Sequence, residues 1–217
     1  MQVNFSAFPQ SELLKKPVHD IQVLMDSLIP AARLLDCKKN KKLNFVRSGK
    51  PVCYLVFEGR GLICRSRDNL VIATSRAPSI IGVTSVLFPL SEEYYWRPET
   101  DALVMCVETD TVNQVIAEKN LWKNLSFVLG FINYRLNEYN VKSTARTGSS
   151  LINKQIHALM LEPIELRMKT GLANYILDRT LLSRSYVMKI VAELKAKNKI
   201  VLDGKILIQV NNLDDDE

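Results

Sequence analysis

The stretch from Thr180 to Val210, TLLSRSYVMKIVAELKAKNKIVLDGKILIQV, most constrains what this chain can fold into. An apolar period near 3.6 gives way within it to a period of 2, and basic residues run through both parts. Ser183 stands where a helix N-cap belongs. Val187, Ile190, Val191 and Leu194 then form the apolar stripe of a helix, leaving Arg184, Ser185, Met188, Lys189 and Lys195 off it. Upstream, Thr170 is a candidate cap for a shorter helix through Leu172, Ile176 and Leu177, with a turn from Asp178 to Leu182. Downstream, Asp203-Gly204 between strand-forming residues signals a tight hairpin. Two helices joined by a short turn and followed by a hairpin form a winged helix. The major groove of DNA admits one helix whose first turn can present side chains to base edges, while a wing and helix caps touch phosphates. A winged helix can also dock proteins, so the segment alone leaves that alternative open.

The first half of the chain has a different texture. A helical stripe, Ile21, Leu24, Met25, Leu28 and Ile29, lies within Val18 to Leu35 and is broken by Pro30; a basic loop from Cys37 to Lys42 follows. LNFV, CYLVFEG, GLICRS, LVIATS and ALVMCVET are short β-branched or aromatic runs. Turn signals such as Ser48-Gly49-Lys50-Pro51, Asp68-Asn69 and Arg97-Pro98 separate them. This spacing predicts a small antiparallel sandwich or barrel.

From Asn120 to Ser143 the apolar positions Leu121, Leu125, Val128, Leu129, Ile132, Leu136 and Tyr139 recur at three and four, as along a coiled-coil seam. Such a helix either pairs with a second copy or packs on its own β-domain; the length of the seam favours pairing through Leu121, Leu125, Val128, Ile132, Leu136 and Tyr139. Around Arg146-Thr-Gly-Ser-Ser150 a hinge is expected, with Gly148 ending the long helix and Ser149 or Ser150 capping the next. The expected organisation is α+β: a β-rich domain over residues 1–119, a connecting helix over 120–145 and a winged helix over 146–217.

Ser183-Arg184-Ser185-Tyr186-Val187-Met188-Lys189-Ile190 resembles the Ser-Arg-Glu-Thr-Val-Gly-Arg-Ile recognition helix of the CRP/FNR transcription regulators. The β-barrel, long helix and winged helix extend this resemblance over nearly the whole chain. It implies an N-terminal cyclic-nucleotide-binding-like antiparallel β-barrel, a dimerising helix and a C-terminal winged helix-turn-helix. It also implies base reading by Arg184, Ser185 and Lys189, with Ser183 and Tyr186 as phosphate contacts; Lys205, in the wing, adds a phosphate contact. Ser185 departs from the family's Glu. Within the family the chain is most similar to the enterobacterial regulators called inhibitor of hydrogen peroxide resistance, which implies a role in oxidative-stress gene control.

Cyclic-nucleotide-binding members hold their ligand with a Gly-Glu pair and a downstream Arg-Ser pair. Here Gly82 is followed by Val83, and Glu92 and Glu93 fall where Arg and Ser belong; Arg97 is the nearest basic alternative. Carboxylates repel a phosphate and valine cannot bond a ribose hydroxyl, so the pocket reads as degenerate and its effector as unknown. Four scattered cysteines, Cys37, Cys53, Cys64 and Cys106, supply neither an iron–sulfur set nor a disulfide framework. Cys37, beside Lys38, Lys39, Lys41 and Lys42, is a redox candidate because positive charge lowers a thiol pKa. His19 and His157 lack metal-ligand spacing. No metal, cofactor or enzymatic motif is expected. The net charge of +6, despite the acidic end Asp214-Asp215-Asp216-Glu217, suits a polyanionic partner. No apolar run approaches a membrane span, and the N-terminus lacks a signal-peptide pattern. The reading is a cytoplasmic homodimeric regulator of double-stranded DNA. The alternatives are a sensor whose barrel takes another small molecule and a protein-docking adaptor.

Overall fold

The structure is a computed structural model and describes residues 16–88, 93–143 and 147–213, with side chains of 141–143 left aside. The N-terminal stretch that lacks a signal-peptide pattern, Glu92 and the acidic end at 214–217 lie outside the described residues.

Helix α1 (Val18–Leu28) buries Ile21, Leu24, Met25 and Leu28, the spacing that puts four apolar side chains on one face. It closes in a 3-10 turn, Ile29–Ala31, carrying Pro30 in its first positions. The helical reading of Arg33 to Leu35 is therefore corrected: these residues begin strand β1 (Arg33–Cys37). Once Pro30 ends the helix, this segment finds its backbone partners on a neighbouring strand, residue for residue from Arg33 opposite Cys106 to Cys37 opposite Ala102.

The strands then follow as β2 (Leu43–Asn44), β3 (Val46–Arg47), β4 (Lys50–Glu58), β5 (Arg60–Arg65), β6 (Val71–Arg76), β7 (Ser79–Ile81), β8 (Tyr94–Pro98) and β9 (Ala102–Glu108). One antiparallel sheet has the order β1-β9-β4-β3, with β7 also on β4; β8, β5 and β6 are successive neighbours in another. Strand β4 carries the uninterrupted buried run Val52 to Val56, as a strand covered on both faces must. The runs quoted from the sequence fall on β2 to β6 and β9. Strands β7 and β8 carried no recognised signal, and Arg97-Pro98, expected as a turn, is the end of β8. Pro98 occupies a position compatible with a strand end, where the missing N–H costs no ladder bond.

Helix α2 (Thr109–Glu118) buries Val112 and Ile116. It ends where Asn120 takes a left-handed φ of 52°, a conformation Asn tolerates better than most residues. Helix α3 (Trp122–Ser143) begins directly after. The chain forms two compact units interleaved in sequence: Met1–Gly61, Ser75–Ser91 and Pro98–Tyr134, and Leu62–Thr74, Glu92–Arg97 and Arg135–Glu217.

In the first unit α1, β4, β9, α2 and the start of α3 share one core. Leu125 and Val128 are 1 % and 2 % exposed in it, with Leu121 and Ile132 packed against its edge. This corrects the expected seam: four of its six residues are committed to the protomer's own β-domain. Burying one Leu or Val there stabilises the fold by about 1.5–3 kcal/mol, which the β-domain offers without a second copy. Tyr139, further along, donates its hydroxyl to the Val71 carbonyl in the second unit.

In the second unit α4 (Gly148–Met160), α5 (Ile164–Arg167), α6 (Leu172–Arg179) and α7 (Arg184–Ala196) are followed by the hairpin β10 (Ile200–Asp203) and β11 (Ile206–Val210). The core joins Ile152, Ile156 and Leu159 to Leu172, Tyr175 and Ile176, to Val187, Val191 and Leu194, and to Ile200 and Leu207. Gly148 does not end the long helix; it opens α4, and the cap is Thr147, whose Oγ1 accepts from the Ser150 N–H at 3.1 Å. Thr170 does not cap α6 either. Its hydroxyl turns back to the Leu166 carbonyl, and Gly171 occupies the cap position.

Leu125→Ala should lower the unfolding free energy by about 2–5 kcal/mol, the range for deleting a buried leucine side chain. Denaturant titration monitored by tryptophan fluorescence measures it. A change under half a kcal/mol would mean that Leu125 does not sit in the protomer core.

Candidate nucleic-acid interface

Helix α7 starts where the sequence places it. Ser183 is extended (φ −68°, ψ 147°) and its Oγ accepts from the Tyr186 N–H at 3.3 Å, satisfying one of the donors a helix start leaves open. Between α6 and α7 lie four residues, 180–183. Thr180 is buried and bonds the Ile176 carbonyl through its hydroxyl, while Leu182 packs against the core and Leu181 remains 74 % exposed. Val187 has no exposure, and Val191 and Leu194 are buried. With this face held inward, Arg184, Ser185, Tyr186, Met188 and Lys189 are all exposed. Arg184 and Lys189 project about 140° apart around the axis. Lys189 Nζ stands 4.0 Å from Glu193 Oε1, an exposed pair one turn apart that holds the ammonium only weakly.

The hairpin is fastened to α6. The Leu172 N–H donates to the Lys205 carbonyl at 2.9 Å, and Gly171 bridges to Ile206. Gly204 takes φ 55° at the tip, where Lys205 follows it with an exposed side chain. A lysine is thus presented beside the two-helix unit on a rigid support. Tyr186 has a second relation that sequence reasoning missed. A Cβ on Gly148 would lie 2.8 Å from Tyr186 Cε1, so the aromatic ring occupies the space left open at the first turn of α4.

In the β-domain, Gly82 (φ 84°) precedes a 3-10 turn, Val83–Val86. A Cβ there would meet the Val52 carbonyl at 2.9 Å and the Phe45 ring at 3.1 Å. Close packing and backbone conformation therefore explain this glycine without a ligand. Val83 is 1 % exposed and belongs to the core. Glu93 is exposed, and its carbonyl accepts from the Ser66 N–H at 2.6 Å. Arg97 is engaged within the second unit, its Nη2 3.6 Å from Asp178 Oδ2 on α6. Its buried Nε finds no hydrogen-bond partner.

The cysteines are free thiols. The reading of Cys37 as a lysine-activated thiol is corrected: it is 4 % exposed, and burial pushes its pKa up against the lowering influence of Lys41, with Asp36 and Asp101 adding to the rise. Loss of hydration outweighs the screened charges of exposed lysines. Burial also raises Cys53 to about 12, and raises Cys64 and Cys106 against nearby arginines. Among the described residues no group of acidic, histidine or cysteine side chains could hold a metal ion. None of their helices is long and apolar enough to cross a membrane.

Residues 149–215 match the family described as winged helix-turn-helix DNA binding. Among solved structures, the c-di-GMP-responsive global regulator CLP of Xanthomonas campestris aligns with a TM-score of 0.70 at 13 % identity, covering 88 % of this chain and all of that one. A CRP/FNR-family transcriptional regulator from Eubacterium rectale aligns at 0.66 with 8 % identity, covering 94 % of each chain. This chain has the CRP/FNR fold. In the winged helix-turn-helix layout α7 is the second helix of the pair and β10–β11 the wing. The curated relatives include the inhibitor of hydrogen peroxide resistance of Escherichia coli K12, 26 % identical over 164 residues, covering 74 % of this chain and 77 % of that protein. The Salmonella typhimurium protein of the same name is 24 % identical over 189 residues, covering 81 % and 89 %.

At neutral pH, iodoacetamide should label Cys37, Cys53, Cys64 and Cys106 slowly in the folded chain and quickly once it is unfolded in denaturant. Rapid labelling of Cys37 alone in the folded chain would overturn its assignment as a buried, protonated thiol.

Proposed function

We propose that the chain is a sequence-specific DNA-binding transcription regulator that acts as a homodimer. The observation that carries this reading is the second unit's geometry: a capped recognition helix with exposed Arg184, Ser185 and Lys189, beside a wing tip bearing Lys205. Arg184, in the first turn, is the residue assigned to a guanine edge, where a two-bond arginine contact discriminates by about 1–3 kcal/mol. Lys189 reaches a base or a neighbouring phosphate. Ser183, Tyr186 and Lys205 serve the phosphate backbone, which sets register without reading sequence.

The relatives' name, inhibitor of hydrogen peroxide resistance, brings oxidative-stress gene control to this chain as part of the proposal. The burial of Cys37, Cys53 and Cys64, with Cys106 half-buried and its pKa also raised, supports a regulator that does not sense oxidant through a primed cysteine. The core position of Val83, the packing role of Gly82 and the engagement of Arg97 support a pocket without a cyclic nucleotide.

For dimerisation, α3 has an apolar face turned away from its own core. Phe127 is 53 % exposed, Phe131 and Tyr134 are half-buried, and Gly130 lies between them with nothing within 4 Å of where a Cβ would stand. Spacings of three and four put these residues on one side of the helix, and a glycine there lets a second helix approach closely. The proposed dimer face is therefore this one.

Arg184→Ala should lose about 1–3 kcal/mol of preference for specific over random duplexes while keeping non-specific binding. Lys205→Ala should weaken both alike and reduce the salt dependence by about one charge per subunit. Binding to both duplexes across a salt series checks this, and equal loss on both duplexes for Arg184→Ala would make it a phosphate anchor. Binding to no duplex by the unaltered chain would instead favour a docking module.

The double change Phe127→Asp and Phe131→Asp should yield a monomer by sedimentation equilibrium. A dimer of unchanged affinity would place the interface elsewhere.

A further inference from the structure

The outward face of α7 is not uniformly polar. Ser185, Met188, Lys189 and Ala192 are all exposed, and at 100° per residue Met188 stands about 60° from Ser185 and about 40° from Ala192. Ser185 is short and shares a contact with Ser183, their Oγ atoms 3.1 Å apart. Ala192 carries only a methyl. Between them the Met188 side chain is 50 % exposed, the longest apolar group on the face, beside a single ammonium.

Methionine offers a base edge no strong donor and only a weak acceptor. Its thioether is flexible and polarizable and adapts to an apolar surface of irregular shape. The floor of the major groove shows one apolar group, the C5-methyl of thymine, which guanine, cytosine and adenine lack. A methionine on the groove-facing side of a recognition helix has therefore one chemically matched partner there.

We propose that Met188 is a specificity-determining residue that contacts the C5-methyl of a thymine in each half-site. This rests on the DNA-binding reading above and adds a base to it: arginine chooses a guanine, and Met188 a thymine within reach of the middle of α7. Burying one methyl is worth about 0.8 kcal/mol, or about three- to fourfold in affinity per half-site.

The test uses the full chain. Duplexes are first enriched from a random pool, and each thymine of the enriched site is then replaced by uracil, which removes only the methyl group. One uracil position per half-site should weaken binding about three- to fourfold. In Met188→Ala that penalty should vanish, with affinity for random duplexes and melting temperature unchanged; Met188→Leu should retain most of it. Equal uracil penalties in the unaltered protein and in Met188→Ala, or no uracil-sensitive position at all, would overturn the assignment. Failure to enrich any sequence would overturn the DNA-binding reading itself, and Met188's role with it.

Discussion

Val187 has no contact with solvent, and its burial decides which way every other side chain on α7 points. Helix α7 meets α4, α6 and β10, and a branched apolar residue at the centre of that meeting fixes the rotation of the helix about its axis. Ser183 fixes where the helix begins. Together these two residues convert a string of letters into a face. Arg184 stands in the first turn, Met188 and Lys189 follow one turn later, and Glu193 lies beyond them. Because the Lys205 carbonyl accepts from the first N–H of α6, the hairpin tip moves with the helix pair and not independently of it.

The winged helix was legible because local signals there agree with one another. A hydroxyl cap, a 3.6-residue stripe and an Asp-Gly turn each point to the same elements, and all three appear at the expected residues. The β-domain was legible as a class but not strand by strand. Ser79–Ile81 is too short to show alternation, and Tyr94–Pro98 ends in a residue that argues against a strand until its position at the end is known. The long helix shows a different limit. A stripe at three and four residues records that one face is buried, not what buries it. Leu125 and Val128 satisfy the pattern by entering the core that α1, β4, β9 and α2 of the same chain share.

Cys37 illustrates a competition that sequence proximity cannot decide. Four lysines flank the thiol, but lysine side chains reach into water, where their charge is screened, while the sulfur lies at the buried end of β1. Desolvation acts at zero distance and prevails. The same opposition recurs at Cys64, close to Arg97, and at Cys106, close to Arg47. Gly82 is a parallel case. A glycine at the head of a ligand cassette and a glycine wedged against the Val52 carbonyl look identical in sequence, and only the neighbour 2.9 Å away separates them.

The contact between Gly148 and Tyr186 ties two positions that lie far apart along the chain into one heritable unit. A methyl at 148 would meet the ring at 2.8 Å and oblige it to shift, and loss of the ring would open the first turn of α4 to solvent. Substitution at either site alone therefore disturbs the other. Among descendants of this chain the pair should therefore change together: a glycine at 148 wherever 186 is aromatic, and a larger residue at 148 only where 186 has become small.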